Sequence, residues 1–473
     1  MWPPSLCGGR HSWPVGQMSC QTVRVLFADS SQLLHRRTLP AREATFGTWP
    51  EWLAPHLREI WESRGIAKPW IHQQQVAELA HGGQSVIVAT GTSSGKSLGY
   101  LMPALDAIED SRGLQGQRGA TTLYIAPTKA LAHDQGQAIR ELGLTTLKVS
   151  THDGDSSRDE RAWTRDFGEY VLTNPDMLHH SLLPGHQRWS RFFKSLRFVV
   201  VDECHHYRGV FGAHVALVLR RLQRVAASYG ANPTFVLASA TIADPIESAE
   251  RLLGRQVTAV TEDGAPRGKI TVALWEPPLT ESVGENDAPT RRSATFEGAD
   301  LLTELVISGQ RSLLFVRSRR GVESAARHVI ERLAEVDPQL SKAVAAYRGG
   351  YLPQERRELE RALRSGELLG LTTTNALELG IDVQGLDAVV LAGFPGSRAA
   401  MWQQFGRAGR RGTDALALFV ARDDPLDSYL VHHPDALLSA PVETSVFDTA
   451  NLHILAPHLC AAAAQIPITT ADF

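Results

Sequence analysis

The sequence predicts an α/β protein built from two parallel-sheet domains, on three observations. At 473 residues the chain exceeds what one core accommodates. From residue 85 onward, short β-branched runs alternate with amphipathic helical stretches, the pattern of a parallel sheet covered by helices. One polar, aperiodic stretch, EPPLTESVGENDAPTRRS (276–293), divides that series in two.

Taken in order, residues 1–50 form an N-terminal extension. Its opening MWPPSLCGGRHSWPVGQMSC is rich in Pro and Gly, lacks the apolar core of a signal peptide and predicts partial disorder. The first domain, 51–270, carries strands SVIVAT (85–90), TTLYIA (121–126), EYVLT (169–173), FVVVD (198–202) and TFVLAS (234–239), with helices over 129–142 and 213–228. FVVVD and TFVLAS are nearly continuous apolar runs, as strands buried on both faces require. A linker follows at 271–295. The second domain, 296–435, repeats the pattern with SLLFV (312–316), KAVAAY (342–347), LLGLTTT (368–374), DAVVLAG (387–393) and ALALFVA (415–421). After about 435 the alternation stops, and 436–473 have the character of an incomplete C-terminal region.

Bulk properties narrow the class. No apolar run approaches the roughly 18 residues that cross a bilayer, and the cysteines at 7, 20, 204 and 460 form no C-x-x-C pair. Both features predict a cytoplasmic protein with reduced thiols. The net charge of −3 advertises no polyanion partner, although a local basic groove matters more than the sum. Only seven of the 48 basic residues are lysines, so a lysine inside a motif carries weight.

The sharpest signal is ATGTSSGKS (89–97), directly after a strand and before an apolar helix. Such a loop turns successive backbone N–H groups toward an anion, and the following helix adds its positive end. Thr90, Gly91, Thr92, Ser93, Ser94, Gly95, Lys96 and Ser97 are thus candidate nucleotide-binding residues. Lys96 would reach the β- and γ-phosphates of ATP, and the Ser97 hydroxyl would sit on Mg2+. Thr90 stands where such loops open with Gly or Ala. VVVDECHH (199–206) places two acids at the carboxyl end of a buried strand, where open α/β sheets bind ligands. Asp202 would hold the Mg2+, and Glu203 would polarise the attacking water. His205 has no acidic or cysteine partner at metal-ligand spacing, and it is expected to link the nucleotide site to Ser239 and Thr241 of SAT. SAT alone would be a turn cap.

The order of motifs carries more than any one of them. The phosphate loop, PTKALAHDQ (127–135), TNPDML (173–178), DECH, SAT, FVRSRR (315–320), TTNALELGID (373–382) and QQFGRAGRR (403–411) together resemble the superfamily 2 helicases, P-loop NTPases with two RecA-like domains. The resemblance spans about 70–425. With PWIHQ (69–73), THDGD (151–155) and DECHHYRGVFG (202–212), it is similar to the branch of bacterial mitomycin repair factor A, the YprA-type proteins, and of the fungal and archaeal relatives of RecQ-like repair helicases.

That resemblance implies ATP-dependent 3′ to 5′ movement on single-stranded DNA and a role in repair. It implies that Gln73 reads the adenine edge, and that Arg407 and Arg410 reach the γ-phosphate as arginine fingers with Gln403 beside them. Strand contacts are expected from Thr128, Lys129, Thr173, Asn174 and Asp176 in the first domain and from Arg317, Ser318 and Thr374 in the second. Asn174, before a proline, equally suits a helix start. Trp70, Trp163, Trp189 and Trp402 could stack on bases, but buried packing suits most of them better. Members of this branch continue into a C-terminal region with a four-cysteine metal site, which these 473 residues lack. Independent unwinding is therefore open, as are an RNA substrate and a nucleotide-gated remodelling role without unwinding.

Overall fold

The first strand, Leu33–Leu39 (β1), joins a sheet whose other members come far later in the sequence, which fixes the domain organisation. The computed structural model describes residues 30–92, 94–111, 119–283, 289–378, 386–409 and 414–469. Two compact units emerge, neither contiguous: one is 44–265 with the chain from 442 onward, the other is the chain up to 43 with 266–441.

The unit centred on 44–265 holds a seven-stranded sheet of Val86–Ala89 (β2), Thr121–Ile125 (β3), Val149–Thr151 (β4), Tyr170–Thr173 (β5), Leu196–Val201 (β6), Thr234–Ser239 (β7) and Thr258–Val260 (β8). Its order is β4-β5-β3-β6-β7-β2-β8, and every pairing is parallel. β2, β3, β5 and β7 are buried along their whole length, since helices cover both faces. Alternate side chains of β6 supply two cores: Val199 and Val201 face Leu219 and Phe235, while Phe198 and Val200 face Tyr100 and Met102.

The other unit contains Ile270–Trp275 (β9), a hairpin of Leu279–Val283 (β10) and Pro289–Arg291 (β11), then Ser312–Val316 (β12), Val344–Tyr347 (β13), Gly370–Thr373 (β14), Ala388–Ala392 (β15) and Ala415–Val420 (β16). Its main sheet runs β1-β9-β16-β15-β12-β14-β13, parallel except for β1 against β9. Both units are thus α/β layers around parallel sheets.

Three expected boundaries change. The linker drawn at 271 begins inside β9, whose six residues are all buried between β1 and β16, so the chain passes from one unit to the other at Ala265–Pro266. The polar stretch after it belongs to this unit: Arg291 pairs with Glu276 at 2.9 Å, and its backbone N–H donates to Asp423 at 2.9 Å. Within that stretch 284–288 lie outside the described residues. The N-terminal extension supplies β1, an edge strand with alternating exposure, while residues 1–29 lie outside the described residues.

The C-terminal segment returns to the 44–265 unit. Phe447 and Ile454 enter its core, and helix Leu452–Gln465 lies on helix Gly209–Ser228. Arg221 donates through Nη1 to His179 Nδ1 at 2.8 Å and His458 Nδ1 at 3.2 Å. Burial, with the Arg221 charge second, lowers both imidazoles to about 4. No helix among the described residues is long and apolar enough to cross a membrane.

Two outcomes follow from this docking. Phe447→Ala should destabilise the 44–265 unit by roughly 3 kcal/mol in urea unfolding. His179 and His458 are held neutral in the folded state, so their contribution is intact above their unfolded value near 6.5 and is lost as pH falls toward 4. Protection from hydrogen exchange over 442–469, taken relative to the intrinsic rate at each pH, should accordingly fall across that window.

Candidate nucleotide site

Buried β2 delivers the chain into the phosphate loop, and helix Ser97–Asp110 carries it away. Gly95 adopts φ +64 while Lys96 is right-handed at φ −46, and alternation of this kind makes a concave row of N–H groups. A Cβ on Gly95 would lie 2.8 Å from Gln73 Nε2 and 2.9 Å from the Trp70 ring, so the position accepts only glycine. Thr90, the departure from Gly or Ala, is buried and bonds the Ser94 hydroxyl at 2.7 Å across the loop. Lys96 donates to the carbonyls of Gly91 at 2.9 Å and Thr90 at 3.3 Å, so meeting phosphate requires exchanging those acceptors. Gly91 and Thr92 lie in the loop and Ser97 opens the helix; Ser93 lies outside the described residues.

The loop is braced from behind by PWIHQ. Gln73 accepts from the Trp70 N–H at 2.8 Å and donates to the Gly95 carbonyl at 2.8 Å. One N–H and one lone pair of its carboxamide are thus engaged by protein, and in this state it shapes the loop. His72, fully buried, donates through Nε2 to the Ser94 carbonyl at 2.9 Å and accepts the Gly264 N–H on Nδ1 at 3.2 Å. Since a carbonyl only accepts and an amide N–H only donates, these partners assign the tautomer.

Asp202 and Glu203 leave β6 beside the loop. The Asp202 N–H continues the ladder to the Ile125 carbonyl at 2.9 Å, and its carboxylate accepts from the Glu203 N–H at 2.9 Å and from the Tyr124 hydroxyl. Burial, reinforced by the Glu203 charge, pushes the Asp202 carboxyl up to about 6; Lys96 opposes the shift. Glu203 has φ 48, unique among the described non-glycine residues, at a cost of roughly 1–2 kcal/mol. The turn separates two adjacent acids, both half-buried, and points their carboxylates apart. Next along, His205 Nδ1 accepts from the Ala240 N–H at 3.2 Å and lies 3.4 Å from Ser239 Oγ. Glu203 Oε2 is also 3.4 Å from that nitrogen, but an Nδ1 already accepting an amide proton is no cation, so the hydrogen bond prevails over the ion pair. The link to SAT thus runs through Ser239 and Ala240, with Thr241 exposed beside them. Cys204 and Cys460 are free, and Cys7 and Cys20 lie outside the described residues. Among the described residues no group of three or more His, Cys, Asp or Glu forms a metal cage.

The expected strand contacts share a local arrangement. Thr128, Asn174, Ser318 and Thr374 each follow a parallel strand and accept an N–H from the next helical turn, at 3.3, 2.9, 2.9 and 3.3 Å. Their side chains are caps, so a phosphate there would meet backbone N–H groups. Thr173 is buried and donates to the His152 carbonyl at 2.8 Å, which removes its hydroxyl from such a role. Lys129 pairs with Asp155 at 2.8 Å, and Asp176 and Arg317 are exposed.

In the other unit Gln403 is buried, and so is Arg407, which donates to the Glu378 carbonyl. A finger role would require that guanidinium to leave this carbonyl. Arg410 and residues 379–382 of TTNALELGID lie outside the described residues. Trp189 is core, and Trp70 and Trp402 are half-buried against Gly95 and Phe405; Trp163 is exposed beside Phe167. Sequence reasoning missed His72, Tyr124 and Asp263, whose partners lie up to 192 residues away. Only the place of His72 within WIHQ signalled it.

Residues 70–249 match the DEAD/DEAH box helicase family, and 297–412 match the helicase conserved C-terminal domain. The chain belongs to the DEAD/DEAH-box-type helicases of superfamily 2. Within that class its resemblance is to YprA, HRQ1 and MrfA. It is 41% identical over 430 residues to the ATP-dependent helicase YprA of Bacillus subtilis, covering 90% of this chain and 56% of YprA. It is 39% identical over 452 residues to the ATP-dependent helicase HRQ1 of Saccharomyces cerevisiae, covering 93% and 41%. The crystal structure of the DUF1998 helicase MrfA bound to DNA and AMPPNP aligns with a TM-score of 0.87 at 39% identity, covering 94% of this chain and 61% of that one. The chain spans about half the length of the curated relatives it matches.

The Asp202 environment sets a checkable sign. Its folded value is raised from 3.8 to about 6, so its burial favours folding only while protonated and opposes folding as pH rises through 6. Asp202→Asn should therefore raise Tm at pH 8 in nucleotide-free protein. The gain should shrink as pH is lowered toward 3.8.

Proposed function

We propose that the chain is the ATP-driven motor of a cytoplasmic DNA helicase or translocase, moving 3′ to 5′ on single-stranded DNA and serving DNA repair. The observation that carries the reading is one rim, at the carboxyl ends of β2 and β6, with a glycine-shaped phosphate loop on one strand and two adjacent half-buried acids, split by a left-handed turn, on the other. That pairing suits hydrolysis of a phosphoanhydride. The repair branch, polarity and DNA preference rest on the motif resemblance and on the likeness to a helicase whose crystal structure is described as bound to DNA.

The residues present fit magnesium nucleotide. Desolvation and the adjacent Glu203 carboxylate disfavour the charged form of Asp202, a state that a divalent cation relieves. Ser97 and Asp202 would hold Mg2+, which when bound neutralises charge on the β- and γ-phosphates. Lys96 transfers its ammonium from loop carbonyls to phosphate oxygens. Glu203, held outward by its left-handed backbone, orients the attacking water and receives its proton. By the motif resemblance, Arg407 and Arg410 supply positive charge to the γ-phosphate. Thr128, Asn174, Ser318 and Thr374 set the helix starts whose N–H groups hold the strand backbone, with Lys129 adding charge.

Steady-state ATP hydrolysis with single-stranded DNA, single-stranded RNA or neither tests this directly. Turnover should rise about tenfold or more with DNA, and Glu203→Gln should lower it by about a hundredfold or more while ADP still binds. Equal stimulation by RNA would replace the DNA assignment with an RNA one. Hydrolysis without stimulation by either polymer would favour a nucleotide-gated remodelling module.

A further inference from the structure

We infer that His72 is a positioning residue of the phosphate loop, and that it links the state of the loop to residues 263–265, through which the chain leaves this unit. The inference rests on the nucleotide-site reading above and deepens it.

The carbonyls of Ser94 and Gly95 are held by successive residues of one helix start, His72 Nε2 at 2.9 Å and Gln73 Nε2 at 2.8 Å. A trans peptide is planar with its C=O and N–H opposed. Fixing these two carbonyls from behind therefore aims the N–H groups of Gly95 and Lys96 to the opposite side, the concave side of the left-handed/right-handed pair. Gln73 does this with bonds that stay within the loop and its own helix. His72 differs, because its second nitrogen accepts the Gly264 N–H at 3.2 Å.

Gly264 is itself fixed. Its carbonyl accepts the Thr45 N–H at 2.9 Å, and a Cβ there would lie 2.7 Å from both Ile71 Cγ2 and the Thr45 carbonyl. Its neighbour Asp263 accepts the Gly91 N–H at 3.1 Å through one carboxylate oxygen and the Ala265 N–H at 3.0 Å through the other. The short segment 263–265 thus holds the loop at both ends, at Gly91 through Asp263 and at Ser94 through the imidazole. The next residue, Pro266, already belongs to the other unit. A buried histidine needing only local satisfaction would have no reason to join two segments so far apart in sequence. A rigid ring with one donor and one acceptor on opposite edges suits that span.

The two nitrogens can be tested separately, because a Gln amide mimics Nε2 and an Asn amide mimics Nδ1. The full chain is titrated with MgADP, and hydrogen exchange at 263–265 is followed with and without it. His72→Phe should weaken ADP binding about five- to tenfold, the loss expected for one or two hydrogen bonds, and abolish the ADP-linked change in exchange. His72→Gln should bind ADP like wild type yet lose that change. His72→Asn should weaken binding while keeping Gly264 protected in the free protein. Affinity losses that merely follow Tm across the three variants, or His72→Phe binding like wild type, would overturn the positioning role alone. Failure of wild type to bind ADP, with Lys96→Ala no different, would overturn the nucleotide-site reading and this inference with it.

Discussion

A parallel sheet covered on both faces leaves polar chemistry one outlet, the carboxyl ends of its strands, and this constraint organises the molecule. Strands such as β2 and β7 have no exposed face on which to carry a charge. Each ends in a turn whose polar groups must be satisfied at once, either by capping the next helix or by meeting a ligand. Thr128 and Asn174 take the first course. The loop from Thr90 to Lys96 and the pair Asp202–Glu203 are where the sheet leaves polar groups for something other than itself.

The site departs from what folding alone would choose. Asp202 sits where desolvation and its neighbour disfavour its charge, Glu203 occupies a backbone region that suits glycine, and Lys96 rests on carbonyls it must later surrender. Each departure prepares a group for an anion and a cation that arrive together. The Tyr124 hydroxyl and the braces at His72 and Gln73 keep these groups in place, and the two cores of this unit supply the stability that such a site withdraws.

Much of this was legible in the residues. Double burial turns strands into apolar runs, so β2, β3, β5–β7 and β12–β16 announce themselves, and the phosphate loop and acid pair appear because so few other arrangements use those residue types at that spacing. β1 was hidden because LLHRRTL is an edge strand with one wet face, and its arginines give it the look of an extension. ITVALW was passed over as a strand, because the polar stretch directly after it drew the linker back to 271. Gln73 was found by motif and its partner was not. The bonds of His72, Asp263 and Tyr124 join positions 78 to 192 residues apart, and no periodicity encodes such a distance. The caps were legible as turn residues, though not that capping would use up their oxygens.

The interleaving of the two units carries a consequence for biosynthesis. β1 emerges from the ribosome long before β9, its partner, and the unit that begins at Ala44 is finished only when Phe447, Ile454 and His458 have been translated. Each unit is thus interrupted by the other in the order of synthesis. Until synthesis passes the helix Leu452–Gln465, Arg221 and the apolar seat of that helix stand uncovered, so the nascent chain presents a chaperone with a binding surface that the finished protein has closed.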